Sequence, residues 1–304
     1  MGRVEEALRR SQTWLSTPEP ASREFRVPPE WLAVDEIRPT TASPEPVSGS
    51  AASPSDPPVE PRPSLPDKVW HVVADEWSER LALGPNASPV FAEVFRKLAA
   101  TLHHAQNTNG LKSVLVTSAS PTDGKSVAAV NLAVVLSESY RKRVLLIDGD
   151  MRRPALGQVF RLTQSNGLAE ALSAKADPRL TLVRVTSTLT VLPAGRPLPD
   201  PVTGLSSPRM TQLVEDVVAR FDWVIVDAPP VGAIADATLL AQMVDGTLLV
   251  IRSGKTQYPQ VRQAIDAIGR ERLLGVVLND VARLPNNPYL DYYASQEATA
   301  DAAR

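Results

Sequence analysis

From about residue 70 onward, apolar positions follow two alternating patterns. Short, nearly continuous apolar runs at 113–117, 144–148, 189–192, 223–227, 247–251 and 275–278 read as buried strands. Between them lie stretches with helical spacing, at 125–138, 167–173, 207–220, 236–243 and 257–270. A further helix is expected over 89–104, where Val90, Val94, Leu98 and Leu102 recur at helical intervals. Strands buried on both faces and separated by helices predict an α/β fold: a mostly parallel sheet covered by helices on both sides. In such sheets ligands bind beyond the carboxyl ends of the strands.

The pattern fails before residue 68. Residues 17–67 hold about half of the chain's 28 prolines, with Ser, Ala and Glu between them. Such a stretch has too little apolar surface to offset its ordering entropy and is expected to be a disordered or extended linker. Pro61–Pro66 would suit a proline-binding groove, although a spacer is the simpler role. Residues 1–16 read as a short amphipathic helix, with Val4, Ala7 and Leu8 on one face. The expected organisation is therefore a helix at 1–16, a linker at 17–67, a domain at 68–285 and a polar tail at 286–304.

Composition narrows the chemistry. The chain has no cysteine, which excludes disulfides, thiolate metal sites and a cysteine nucleophile. A net charge of −2 and a pI near 6.0 give no basic field for nucleic acid, so none is expected as a partner. The one basic run, Arg141-Lys142-Arg143, precedes an apolar strand and reads as a solvated strand entrance. No apolar run approaches the roughly 18 residues of a bilayer span, and the charged start is unlike a secretory leader. A cytoplasmic location is expected.

The first chemical motif follows the strand at 113–117. Ser120-Pro121-Thr122-Asp123-Gly124-Lys125-Ser126 leads into a helix that opens with Val127, in a strand–loop–helix order. Gly124-Lys125-Ser126 is the ending of a Walker A phosphate loop. Gly124 allows close approach of backbone to phosphate, and the segment Ser120 to Val127 offers successive backbone N–H groups, Pro121 excepted, as an anion cradle at a helix N-terminus. Lys125 supplies charge to the β- and γ-phosphates, and Ser126 is placed to ligate Mg²⁺. Ala119 and Thr122 stand at two positions where this loop often has glycine.

Two further strands end in carboxylates. One closes on Asp148-Gly149-Asp150 and continues into Met151-Arg152-Arg153-Pro154; the other closes on Asp227-Ala228-Pro229-Pro230. A carboxylate at a buried strand end is costly without a cation or donors, and hard oxygen ligands suit Mg²⁺. Asp148 and Asp150 are two apart, which suits one as a metal ligand and the other as a base on an incoming nucleophile. Arg152 and Arg153 would hold phosphate oxygens or pair with acids.

This combination resembles the bacterial tyrosine kinases of capsule and exopolysaccharide assembly, a branch of the deviant P-loop ATPases. The resemblance runs from about Pro89 to the C-terminus. It rests on Glu93-Val94-Phe95-Arg96, Asp148-Gly149-Asp150-Met151-Arg152-Arg153-Pro154, Leu192-Pro193-Ala194-Gly195, Asp227-Ala228-Pro229-Pro230 with the Asp236-Ala237 helix start, and Gly275-Val276-Val277-Leu278-Asn279. The related partitioning ATPases carry a second lysine in the loop where this chain has Ser120, which favours the kinase branch. In one respect the chain departs from the kinase pattern: Ala99 stands where a second arginine is expected after Arg96.

The resemblance implies an autokinase that uses ATP and Mg²⁺ to phosphorylate tail tyrosines in trans, here Tyr289, Tyr292 and Tyr293. Asp150 would be the base, Asp148 and Asp227 would serve the metal with Ser126, and Asn279 would contact adenine. It further implies self-association and a membrane-anchored polysaccharide co-polymerase as activator, holding the chain at the inner face of the membrane. An ATPase switch without kinase activity, or a nucleotide-binding scaffold, are the alternatives.

Overall fold

A computed structural model describes residues 32–36, 73–162, 166–173, 180–232 and 234–281. The expected N-terminal helix and the tail with its three tyrosines lie outside the described residues, as does the linker except for 32–36.

The strands are β1 (Leu32–Glu36), β2 (Ser113–Ser118), β3 (Val144–Asp148), β4 (Leu180–Arg184), β5 (Leu189–Leu192), β6 (Trp223–Asp227), β7 (Gly246–Arg252) and β8 (Leu273–Asn279). The helices are α1 (Asp75–Ser78), α2 (Pro89–Asn109), α3 (Lys125–Glu138), α4 (Leu156–Val159), α5 (Leu168–Ser173), α6 (Val202–Leu205), α7 (Pro208–Arg220), α8 (Asp236–Ala241) and α9 (Tyr258–Ile268). One sheet holds all eight strands in the order β1-β4-β5-β3-β6-β2-β7-β8, and every pairing is parallel except β4–β5. The expected mostly parallel sheet is therefore present.

Each central strand sends alternate side chains to opposite faces, the period-2 consequence of pleating. Val114, Val116, Leu146 and Ile225 pack with Phe95, Ala99 and Leu102 of α2 and with α3. Leu115, Leu145, Ile147, Val224 and Val226 pack on the other face with α5 to α9. Helix α3 is buried from Ala128 to Glu138 because α2 covers its outer side. Asn131, fully buried in α3, accepts the amide of Ala82 and donates to the carbonyl of Arg80, tying that segment to the helix. Ala99 is fully buried against this core. An arginine there would have to leave its charge without water, which gives the departure from the kinase pattern a physical reason.

Two strands escaped the hydropathy reading. β4, Leu180–Arg184, mixes polar and apolar residues and pairs antiparallel with β5 through a tight connection. β1 sits inside the segment read as a linker, where Leu32-Ala33-Val34-Asp35-Glu36 is free of proline, and pairs in parallel with β4. α9 ends sooner than expected, at Ile268, because Gly269 adopts φ 87° and breaks the helix before the turn at Arg270–Arg272.

Candidate active site

Five neighbouring strands, β3, β6, β2, β7 and β8, each deliver a polar group to the same edge of the sheet. β2 runs into the loop 119–124. Gly124 caps α3 with φ 100°, and no side chain caps the helix, so its first N–H groups remain open to an anion. The backbone at Gly124 lies so close to the Asn279 amide that a Cβ would collide with it. Thr122 also adopts a left-handed backbone, φ 71°. That is the conformation for which this loop often uses glycine, and it costs a β-branched residue on the order of 1–3 kcal/mol.

Lys125 is the centre of the arrangement. Its Nζ lies 3.0 Å from Asp150 Oδ2 and 3.4 Å from Asp227 Oδ1, with Ser126 Oγ at 3.3 Å. Burial alone would lower the lysine pKa, but Asp227, Asp150 and Asp148 together hold it above its ordinary value.

The parallel register sets Asp148 of β3 directly opposite Asp227 of β6, both with no solvent exposure. Their pKa values rise for that reason. Burial, then the charge of Asp227, push Asp148 up to about 7, against hydrogen bonds from Leu156 and Ala155. Burial likewise raises Asp227, opposed by the Lys125 charge.

The two carboxylates differ in their partners. Asp148 is satisfied by backbone: Oδ1 accepts the Asp150 amide at 3.2 Å, and Oδ2 accepts those of Ala155 and Leu156 at 3.0 and 2.9 Å. Asp227 Oδ2 is buried and has no hydrogen-bond partner. The Ser126 hydroxyl donates to the Asp227 carboxylate and opposes the rise in its pKa, and a buried carboxylate with one free oxygen beside a hydroxyl fits a hard divalent cation.

The remaining residues support this cluster. Asp150 Oδ1 accepts the Arg153 amide at 3.0 Å. Of the two roles open to Arg152, the geometry takes the acid pair: Nε and Nη2 lie 2.7 and 3.2 Å from the carboxylate of buried Asp236. Arg153 is exposed. Asp123 is buried, with Oδ2 accepting the Ser120 amide at 2.8 Å and Oδ1 accepting the Thr256 hydroxyl at 2.9 Å. Asn279, expected at adenine, donates its amide to the Asp123 carbonyl at 2.9 Å and so lies on the loop itself. Sequence reading placed Asp236 at a helix start within the resemblance but gave it no partner, and it missed Thr256. Each acts across the fold, 84 and 133 residues from its partner.

Fold and site together define a nucleotide-binding P-loop protein of the α/β class. No protein-family model matches the chain. Tyrosine-protein kinase YwqD of Bacillus subtilis is 36% identical over 209 residues, covering 68% of this chain and 87% of that protein. The succinoglycan biosynthesis transport protein ExoP of Rhizobium meliloti is 32% identical over 213 residues, 68% of this chain but 27% of that longer protein. Among solved structures, the BceF tyrosine kinase domain aligns with a TM-score of 0.58 and 32% identity, covering 72% of this chain and 92% of that one. The chain belongs to the bacterial tyrosine-protein kinase family. Among the described residues, no helix is long and apolar enough to cross a membrane.

Proposed function

We propose that the chain is an autokinase whose site, built around Lys125, transfers the γ-phosphoryl group of ATP to tyrosines of a neighbouring copy's tail. The observation that carries this reading is the placement of Lys125 Nζ between Asp150 and Asp227 at the mouth of an uncapped helix N-terminus.

Binding would begin with phosphate oxygens meeting the free amides of the loop and the start of α3. A phosphate there competes with Asp150 for the Lys125 ammonium. As Lys125 turns to the β- and γ-oxygens, Asp150 loses its ion pair and is left with an oxygen free to accept a proton. The tyrosine hydroxyl then gives its proton to Asp150 Oδ2 while its oxygen attacks the γ-phosphorus, and the bond to the ADP oxygen breaks. Lys125 follows the charge that builds on the leaving oxygen. Mg²⁺ brought in with the nucleotide would be held by Ser126 Oγ and Asp227, with Asp148 behind them, and would supply charge neutralisation at the β- and γ-phosphates. Ser120 to Val127 would cradle the phosphates, and Asn279 would line the nucleoside side of the loop.

Tyr289, Tyr292 and Tyr293 are the proposed acceptors, since they cluster in a polar stretch after the last strand. Added negative charge there would alter how copies associate. The name of ExoP ties that relative to polysaccharide transport. We extend the tie to this chain as control of exopolysaccharide or capsule polymerisation and export, exercised through a membrane-anchored co-polymerase that recruits it to the inner face of the membrane.

The test is to incubate the full chain with Mg·ATP, with and without the cytoplasmic segment of a candidate co-polymerase, and to map phosphotyrosine by mass spectrometry. Label on the three tail tyrosines that disappears in Lys125→Ala is expected. Phosphate release without tyrosine label, with the segment present, would overturn the kinase assignment in favour of an ATPase switch.

A further inference from the structure

The phosphate loop holds a strained turn. Thr122 holds a left-handed backbone without being glycine, and Pro121 beside it has no N–H with which to brace the turn. The turn is braced across by the Asp123 carboxylate, which accepts the Ser120 amide, and that carboxylate is itself held from outside the loop.

The outside support comes from the segment that follows β7. The Thr256 hydroxyl accepts the Arg252 amide at 2.8 Å, which orients it, and donates to Asp123 Oδ1 at 2.9 Å. Asp123 is 3% exposed and uses its other oxygen on the Ser120 amide, so one carboxylate joins both sides of the Thr122 turn to the neighbouring loop. Asn279 adds a bond to the Asp123 carbonyl from β8. The segment is itself anchored: Arg252 Nε and Nη2 both lie 2.8 Å from Asp280 Oδ2.

We propose that Thr256 is a positioning residue for nucleotide binding, acting through Asp123 to hold the strained Thr122 turn in the form that aims the Gly124–Val127 amides at phosphate. This rests on the reading of that loop as the ATP site. Thr256 touches no phosphate in this scheme. Its hydroxyl takes the place of the conformational freedom that a glycine at position 122 would provide. The cost of its loss should fall on nucleotide affinity, because the groups that take part in transfer, Lys125 and Asp150, are held by other contacts.

The test uses the full chain and four variants: Thr256→Ala, Thr256→Val, Thr256→Ser and the double variant Thr122→Gly/Thr256→Ala. Dissociation constants for a fluorescent ATP analogue with Mg²⁺ are measured beside KM and kcat for tail phosphorylation, with thermal unfolding of each variant. Removal of the hydroxyl by Ala or Val is expected to raise Kd and KM about tenfold, the scale of one hydrogen bond to a charged group, with kcat changed less than about twofold. Thr256→Ser should restore affinity, and Thr122→Gly should recover much of it without the hydroxyl. If Thr256→Ala does not fold, the contrast between Val and Ser carries the same decision. Wild-type affinity in Thr256→Val, or loss confined to kcat, would overturn the proposal. If the wild-type chain bound no nucleotide, the site reading itself would fall and this inference with it, a result distinct from normal wild-type binding with an indifferent Thr256.

Discussion

The two ends of the central strands carry the same residue types and treat them in opposite ways. At the amino ends, Asp245 Oδ2 accepts the Lys112 amide, the Ser113 amide and the Ser113 hydroxyl, each at 2.8 Å. Asp222 there accepts the Arg143 amide and guanidinium, which lower its pKa. The basic run read as a strand entrance is this pairing. At the carboxyl ends, Asp148 and Asp227 face each other in the dry, one lysine serves two carboxylates, a buried oxygen has no donor and a threonine sits where glycine belongs. Near the amino ends Trp223 Nε1 and Thr247 Oγ1 are also buried without a partner, but the carboxylates there are fully paired, so the contrast lies in the charged groups. The carboxyl ends hold their strain and unmet charge for an incoming ligand.

The largest test of that contrast is in activity. Lys125→Ala should lower tail phosphorylation by about 10²- to 10³-fold, the usual cost of removing one charge-stabilising donor, measured as initial rates of phosphotyrosine formation. Next comes the amino end. Asp245→Ala should cost about 1–2 kcal/mol in denaturant unfolding and leave nucleotide affinity and kcat as they were. A change in catalysis there would break the division between the two ends.

A smaller effect sharpens it further. Glu170 lies under the turn at Gly195. Burial would raise its pKa, but the amides of Gly167 and Arg196 outweigh that and hold it below its ordinary value of 4.5. A lowered carboxylate pKa stabilises the fold above the unfolded value and is lost as pH falls through the folded one. Glu170→Gln should therefore lower the unfolding temperature at neutral pH, with the difference from wild type closing as pH falls below about 4.5. Melting curves across that range check it.

Much of this was legible in the chain. β3, β5 and β6 fall on the expected residues, because a buried parallel strand is a plain apolar run with nothing polar until its end. That rule also exposed Asp148, Asp150 and Asp227: a carboxylate closing such a run is conspicuous. β1 and β4 were hidden, since Leu32–Glu36 sits among prolines and Leu180–Arg184 mixes polar with apolar residues. What the sequence hid at the site was satisfaction. Asp148 and Asp227 look alike in one dimension, and only the fold gives Asp148 three backbone donors while leaving Asp227 Oδ2 none. The pairing of Asp236 with Arg152, and Thr256 altogether, were invisible for a related reason, since their partners are distant in sequence.

The central claim is that the unmet charge at the carboxyl ends is reserved for Mg·ATP, and Asp227→Asn tests it most directly. Thermal unfolding of wild type and variant is measured at neutral pH with and without Mg·ATP. Replacing this carboxylate with a neutral amide relieves its repulsion with Asp148 but takes a charge partner from Lys125, which keeps Asp150 at 3.0 Å, so the stability of the nucleotide-free protein should change little. The substitution should abolish most of the stabilisation that Mg·ATP gives the wild type. A variant less stable than wild type that still responds fully to Mg·ATP would show that Asp227 serves the fold, and would contradict the account.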